Sequence, residues 1–174
     1  NLRKASYAGA IDHFNEALQL YTSTGNKRGQ VDCHVKLSAI DNGRSLFENA
    51  LHISEHSIEL ATQIGYNKGL ANALHVKANS LQSLGKLSES LIPCVKALDI
   101  YEAVPDIYGM ATSYYYLGAI YDSMGNYEDA LSNFSFSLKI REDIGDRFGI
   151  SEALNQIGIV HWKQSNHVEG TKQL

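Results

Sequence analysis

The chain has 174 residues, of which 44% are hydrophobic and 20% are charged, a composition typical of a folded globular protein. Its 15 basic and 19 acidic side chains give a net charge of -4 and are mixed along the sequence, which argues against nucleic acid or an acidic membrane surface as the main partner. There is no apolar run of the roughly 18 residues that a membrane-spanning helix needs, and no signal-peptide pattern. The two cysteines, Cys33 and Cys94, occupy columns otherwise filled by Ala, Ser or Phe, so we expect buried thiols in a reducing, cytoplasmic compartment.

The sequence repeats itself with a period of 40 residues. One column of the repeat holds glycine, and three columns hold large apolar residues, without an insertion between periods. The columns are Gly29, Gly69, Gly109 and Gly149; Tyr7, Phe47, Leu87 and Tyr127; Ile11, Leu51, Leu91 and Leu131; and Leu18, Ile58, Leu98 and Leu138. Self-similarity at a fixed period indicates a repeat array.

Each period contains two helical patterns, in which apolar residues recur at spacings of three and four. Applied in chain order, the columns predict helices near 8–24, 28–44, 47–64, 68–84, 87–104, 107–124, 127–144 and 147–164. Residues 1–5 are expected to end an earlier helix, and a partial helix is expected from 167. Because the loops have only two to four residues, neighbouring helices must run antiparallel.

No linker composition interrupts the array, so we expect a single structural unit over 1–174. Its helix pairs would span 28–64, 68–104, 107–144 and 147–174, after a partial repeat at 1–24. Both ends of the chain fall inside a repeat, and the sequence does not start with Met, so we expect a fragment of a longer protein.

Three places depart from the pattern. Residues 41–44 put Asp, Asn, Gly and Arg where other repeats are apolar, so the second helix is expected to fray or end early. Pro93 lies about two turns into a helix, where it removes a hydrogen bond and clashes with the preceding turn. We expect either a kink or a helix start displaced to about Ser90. Gly170 and Thr171 replace an Ala-Leu pair, so the last helix is expected to be weak.

The best-kept repeat carries Tyr114, Leu117, Gly118 and Tyr121 in its first helix. Its second helix carries an aromatic, a small residue, another aromatic and another small residue, namely Tyr127, Ala130, Phe134 and Ser137. These residues resemble the tetratricopeptide repeat in its 40-residue form, and the resemblance covers nearly the whole chain. It implies an all-α, right-handed superhelical solenoid of antiparallel helix pairs, with a concave groove lined by the first helix of each pair.

The resemblance also implies that this groove binds peptides or helices. The residues expected to bind a peptide are Asn72, His75, Asn79, Gln82, Tyr115, Asp122, Glu152, Asn155, Trp162 and Lys163. Further groove-facing positions are Asp32, Val35, Ala39, Asn42, Ser83, Thr112, Ala119, Ser123 and Ile159. Side-chain amides can satisfy the backbone of an extended peptide, and Tyr and Trp offer flat apolar anchors with a polar tip. The alternative interpretation is a solvated helix face without a ligand.

Some members of the family hold a peptide's C-terminal carboxylate in a basic clamp. His75 and Asn79 fall at two clamp positions, with His in place of the usual Lys. The remaining positions hold Tyr116, Glu152 and Gln156, which supply no positive charge. The sequence therefore argues against a C-terminal carboxylate as the ligand.

One pair of histidines has a spacing that can hold a metal ion, since His52 and His56 are four apart on one helix. They map to the outward face of a second helix with no third ligand in the pattern, which favours a solvated face. The sequence contains no phosphate-cradling glycine loop and no hydrolase or zinc-protease motif. We therefore expect no active site and no cofactor.

The leading hypothesis is a non-catalytic interaction module that binds a peptide or helix of a partner, or of its own parent chain, in the groove. Arrays of this form resemble regulatory regions of bacterial signalling proteins such as nucleotide or diguanylate cyclases and histidine kinases, peptide-sensing regulators, and the cargo-binding part of kinesin light chain. The alternative is a structural module that forms homo-oligomers through its end faces or its groove. A third hypothesis, a metal-dependent enzyme using His52 and His56, would need a bound metal.

Overall fold

The helices follow the predicted period closely. The computed structural model describes the backbone of residues 2–172 and the side chains of residues 7–165. Within that part of the chain the structure is all-α, with eight helices and no strand. They are α1 (Leu2–Ser23), α2 (Lys27–Gly43), α3 (Phe47–Gln63), α4 (Asn67–Ser83), α5 (Leu87–Ala103), α6 (Ile107–Ser123), α7 (Tyr127–Asp143) and α8 (Arg147–Lys172). The six internal helices confirm the predicted bounds to within one residue.

A glycine with positive φ lies in five of the seven turns between the described helices, and Ser45 takes the same conformation in a sixth. Gly125 has φ +77°, a left-handed conformation that a residue without Cβ adopts at little cost and that ends α6. Asn126 then caps α7, because its side-chain oxygen accepts a hydrogen bond from the backbone N–H of Asp129 at 3.5 Å. The predicted stop and cap are therefore confirmed.

Both terminal helices run through positions where the internal repeats turn. α1 begins at Leu2, so residues 2–5 belong to α1 and not to an earlier helix. α8 continues to Lys172 without a break, so the separate helix predicted from 167 is wrong. The internal turns at Ser45, Gly85 and Gly125, which all have positive φ, correspond to Ala5 and Ser165, where a continued helix keeps the backbone groups hydrogen-bonded. The packing of Gly170 and Thr171 lies outside the described side chains.

The polar segment at 41–44 does not shorten α2, which has 17 residues like each of α3 to α7. Asp41 is buried and accepts hydrogen bonds from Asn49 and Arg44. Asn42 donates to the carbonyl of Val76 at 3.3 Å. The predicted fraying is therefore wrong, since these polar groups are satisfied by neighbouring helices.

The predicted displacement of the α5 start to Ser90 is also wrong, because the helix begins at Leu87 and passes through Pro93. The proline removes a single hydrogen bond, the one to the carbonyl of Glu89, and its ring is buried. Burial of the helix therefore outweighs the lost bond. A kink at Pro93 stays a prediction.

The helices group into two compact units, Asn1–Ile100 and Tyr101–Leu174. In unit 1, α3 packs against α2 and α4 around Val31, Ala61 and Ala73, all 0% exposed. In unit 2, α7 packs against α6 and α8 around Phe134 and Val160, also 0% exposed. The single array over 1–174 stays a prediction. No helix among the described residues is long and apolar enough to cross a membrane.

Candidate functional site

The predicted binding residues lie on the first helices of the pairs, and each unit brings two of these helices together. α2 packs against α4 in unit 1, and α6 packs against α8 in unit 2. We call the predicted residues of α4 the unit 1 surface: Asn72, His75, Asn79 and Gln82. We call those of α6 and α8 the unit 2 surface: Tyr115, Asp122, Glu152, Asn155, Trp162 and Lys163.

An ion pair connects the two helices of the unit 2 surface. Lys163 Nζ donates to Asp122 Oδ2 at 2.7 Å, with the lysine side chain 37% exposed and the aspartate side chain 12% exposed. The second carboxylate oxygen, Asp122 Oδ1, is buried and has no hydrogen-bond partner among the described residues. A buried acceptor without a donor is costly, and its burial keeps this oxygen out of reach of a ligand on the surface.

A buried guanidinium supports the same surface from below. Arg141, on α7, is 7% exposed and lies 3.3 Å from Glu152 and 3.6 Å from Asp146. Its Nε donates to Ser137 Oγ at 3.1 Å, and its guanidinium lies over the ring of Tyr115 at 5.4 Å. The charge of Glu152 is therefore neutralised within the protein, and Glu152 holds α8 in place against α7.

Tyr115 is also engaged inside the protein. Its hydroxyl oxygen accepts a hydrogen bond from Gln156 Nε2 at 3.2 Å, and its ring meets that of Phe134 edge-on at 5.5 Å. Tyr115 therefore joins α6 to α8, and Glu152 joins α8 to α7, in addition to the binding role predicted for both residues.

The remaining residues of the unit 2 surface face solvent. Trp162 is 66% exposed and Asn155 is exposed, as is the neighbouring Ile159 at 36%. Together with Leu154 and Gly158 they line an open depression of about 390 Å³ on α8. An exposed aromatic beside an amide and an ion pair offers both an apolar anchor and polar contacts to a peptide.

In the unit 1 surface, the structure places His75 in the interior, at 6% exposure. Burial lowers the pKa of His75 to about 4, because the charged ring would lose its hydration. The ring is therefore neutral at pH 7 and cannot act as the cation of a carboxylate clamp, which agrees with the sequence argument. Asn72, Asn79 and Gln82 are partly exposed.

At the end of α2, groove position Asn42 is used to join helices within unit 1. Its side-chain oxygen accepts a hydrogen bond from Ser80 Oγ at 3.0 Å. Val35, another predicted groove position, is 8% exposed and belongs to the core. Asp32 is exposed and accepts a hydrogen bond from the hydroxyl of Tyr66 at 3.2 Å.

The predicted histidine pair gains a neighbour that the spacing did not reveal. The ring of His56 lies edge-on to that of His34, with centroids 5.0 Å apart, while His52 and His56 are both exposed. Burial and the neighbouring His56 lower the pKa of His34. Among the described side chains no three His, Cys, Asp or Glu residues are placed to hold a metal ion.

Sequence reasoning missed Arg141, although a signal was present. Its column holds Tyr21, Ala61 and Tyr101 in the other periods, so a charged residue there indicated a buried ion pair. Polar contacts between α6 and α8 recur at a fixed sequence separation of 41 residues. This separation applies both to Tyr115 with Gln156 and to Asp122 with Lys163.

Models of the tetratricopeptide repeat match residues 70–104 and residues 109–169. No curated protein sequence matches the chain. A Rap protein complexed with Competence and Sporulation Factor has a similar fold, with a TM-score of 0.85 at 15% identity, over 98% of this chain and 48% of that one. The chain therefore spans about half the length of that Rap protein.

Two further solved structures are similar in fold. One is a Signal Transduction ATPase with a tetratricopeptide repeat sensor from Pyrococcus horikoshii, with a TM-score of 0.71 at 17% identity, over 91% of this chain and 25% of that one. The other is a putative kinesin light chain with nearly identical repeats from Podosopora anserina, with a TM-score of 0.62 at 12% identity, over 92% of this chain and 90% of that one. With two family models matching and helix pairs recurring in register, the chain belongs to the tetratricopeptide repeat family, whose fold serves as a protein–protein interaction module.

Proposed function

We propose that the chain binds an extended peptide or a helix of a protein partner on the exposed faces of its first helices. The observation that carries this proposal is the arrangement at the unit 2 surface. There the ion pair of Asp122 with Lys163, the exposed amide of Asn155 and the exposed ring of Trp162 lie on two adjacent helices. A peptide offers the matching groups, a backbone amide for Asn155 and an apolar side chain for the indole.

The chemistry of this surface favours a peptide over a charged small molecule. Arg141 neutralises Glu152 and Lys163 neutralises Asp122, so no strong net charge is left to attract an ion. Exposed Asn155 can both donate to and accept from a peptide bond, which recognises a backbone irrespective of its sequence. The amides of Asn72 and Asn79 would do the same in unit 1.

As context for this activity, we propose the regulatory or sensory part of a larger bacterial signalling protein. Two of the similar structures support a signalling role: the Rap protein is complexed with Competence and Sporulation Factor, and the signal transduction ATPase uses its tetratricopeptide repeats as a sensor. The occupant of the surface would then be a peptide or a helix of the parent chain. The family's repeats are typically non-catalytic, so the output belongs to another protein or domain.

The test begins with a phage-displayed library of random linear peptides selected on the immobilised chain. Enriched peptides are synthesised with a free and with an amidated C-terminus, and binding is measured by titration calorimetry. Both forms should bind equally, because His75 supplies no charge. Asn79→Ala with Asn155→Ala, and separately Trp162→Ala, should each weaken binding at least tenfold.

A matched control is available in the same unit, since Phe136 on α7 is an aromatic that is 53% exposed but lies on a second helix. Phe136→Ala should leave peptide affinity unchanged. Thermal unfolding of all variants should stay close to that of the wild type, which separates loss of contact from loss of fold. Peptides that bind the Asn79→Ala, Asn155→Ala chain and the Trp162→Ala chain with wild-type affinity would refute the assignment of the surface.

A further inference from the structure

Charge in unit 1 is segregated between the two classes of helix. The first helices α2 and α4 carry five basic and two acidic side chains. The second helix α3, which packs against both of them, carries three glutamates and no lysine or arginine. Since the whole chain has a net charge of -4, the positive balance of α2 and α4 is opposite to that of the protein.

Contacts inside unit 1 remove acidic charge from the surface of these two helices and leave basic charge exposed. Asp41 is buried and accepts a hydrogen bond from Arg44, and Lys77 pairs with Glu55 of α3 at 2.8 Å. The other charged side chains of α2 and α4 are exposed. They are four cations, Lys27, Arg28, Lys36 and Lys68, and one carboxylate, Asp32.

Tyr66 connects the N-terminal ends of α2 and α4 and engages that carboxylate. Its hydroxyl donates to Asp32 Oδ1 at 3.2 Å, and the guanidinium carbon of Arg28 lies 5.4 Å from the centroid of its ring. Burial and Asp32 raise the pKa of the Tyr66 hydroxyl. The positive charges of Lys68 and Arg28 oppose that rise, so a cation from each helix lies close to this hydroxyl.

α4 also differs from the other first helices in how it begins. Asn26, Asp106 and Asp146 each accept a hydrogen bond from the backbone N–H three residues later and so cap their helices. Tyr66 occupies the same column and provides no side-chain cap. The positive partial charge at the N-terminal end of α4 is therefore not offset by a capping oxygen, and it adds to the charge of the two cations.

We propose that the N-terminal ends of α2 and α4 bind an acidic segment of a peptide from a protein partner, with Arg28 and Lys68 contacting its aspartate or glutamate side chains. A guanidinium matches a carboxylate with two parallel hydrogen bonds, and an ammonium adds a point charge. The contact with Tyr66 orients the guanidinium before the ligand arrives, which lowers the cost of binding.

This inference rests on the proposed peptide binding and names the class of peptide that unit 1 takes. Unit 2 does not share the preference, because Asp122 and Glu152 are neutralised there within the protein. A nucleic acid fits less well, since it is charged along its whole length and α3 of the same unit exposes three glutamates.

The test selects linear peptides on the wild-type chain and synthesises them with an amidated C-terminus, so that all carboxylates come from side chains. Selected peptides should be enriched in aspartate or glutamate. Replacing these residues by asparagine or glutamine should weaken binding about tenfold. The difference should shrink as salt rises from roughly 50 to 300 mM, because salt screens the attraction.

Arg28→Gln combined with Lys68→Gln removes the two cations, and this variant should bind the acidic peptide and its amide counterpart equally. The matched control is Lys96→Gln with Lys139→Gln, which removes the same charge from exposed positions on the second helices α5 and α7. The control should keep the wild-type preference. If the first variant melts at a lower temperature than the wild type, Lys68→Gln alone is compared with Lys96→Gln.

The outcomes separate this inference from the proposed function. Selected peptides without acidic residues, or equal binding of the acidic and amide forms to the wild type, would overturn the acidic class while leaving peptide binding intact. A preference that persists in the Arg28→Gln, Lys68→Gln chain would overturn the assignment to these helix ends. Tighter binding of an oligothymidylate of roughly 20 nucleotides than of the acidic peptide would assign the cations to a nucleic acid instead. Failure to enrich any peptide would count against the proposed function as well.

Discussion

Two glycines of the same column should respond in opposite directions to the same substitution. Gly118→Ala would place a Cβ 2.8–2.9 Å from the ring of Phe134, which is 0% exposed. Overpacking of this kind costs about 1–3 kcal/mol, against a gain of about 1 kcal/mol from replacing Gly by Ala in a helix. Gly118→Ala should therefore be neutral or destabilise the fold by up to about 2 kcal/mol.

Gly158→Ala is the matched control, since it has the same column and helix class but nothing within 4 Å of the new Cβ. Gly158→Ala should stabilise the chain by about 0.5–1 kcal/mol, because Ala has a higher helix propensity than Gly. The assay is urea unfolding followed by far-UV circular dichroism, at protein concentrations low enough to keep a single copy. Adding Phe134→Leu to Gly118→Ala should recover part of the loss. An equal gain in stability for both alanine variants would show that the ring does not occupy the space over Gly118.

Three further predictions concern buried polar groups. Burial lowers the pKa of His75 from 6.5 to about 4, so as the pH falls the unfolded chain takes up a proton before the folded chain does. Up to about 3 kcal/mol of folding stability should therefore be lost between pH 6.5 and pH 4. His75→Gln should flatten this dependence of stability on pH, and an unchanged dependence would contradict the burial of His75. Burial raises the pKa of the Cys94 thiol to about 12, so an aromatic disulfide reagent should modify Cys94 in the native chain far more slowly than in urea; equal rates would contradict it. Arg141→Met should destabilise the fold by about 1–3 kcal/mol. This loss is smaller than that from breaking a fully buried ion pair, because Glu152, at 39% exposure, can be rehydrated. An unchanged urea midpoint would contradict a stabilising role for the ion pair of Arg141 and Glu152.

The bounds of the internal helices were predictable because the turn residues are local signals. Gly85 and Gly125 adopt positive φ and end their helices, and the 40-residue period places the helix ends at the same positions. The terminal helices were mispredicted because the period was extended to Ala5 and Ser165, where the chain continues as helix. Ser45 occupies the same column as Ser165 and forms the turn with φ +61°, so the residue type at this column does not decide whether the helix ends.

Long-range polar contacts account for the other errors. Asp41 and Asn42 looked like helix breakers because their partners Asn49, Val76 and Ser80 lie outside the local pattern. The same limit applies to the candidate site. The repeat register predicted the correct helices, and the resemblance assigned which residues face the groove. Neither could predict that His75 is buried or that Glu152 pairs with Arg141. These depend on the packing of the neighbouring helix.

Trp162 is the single tryptophan of the chain, so its fluorescence reports on the proposed binding surface and on nothing else in the protein. The most direct test of the account is the emission spectrum of dilute protein titrated with a selected peptide whose affinity is known from calorimetry. The indole is 66% exposed in the free chain. We expect its emission to shift to shorter wavelength and the indole to become protected from iodide quenching as the peptide binds. The midpoint of both changes should equal the midpoint measured by calorimetry. A peptide that binds by calorimetry while the emission and the quenching of Trp162 stay unchanged would contradict the account.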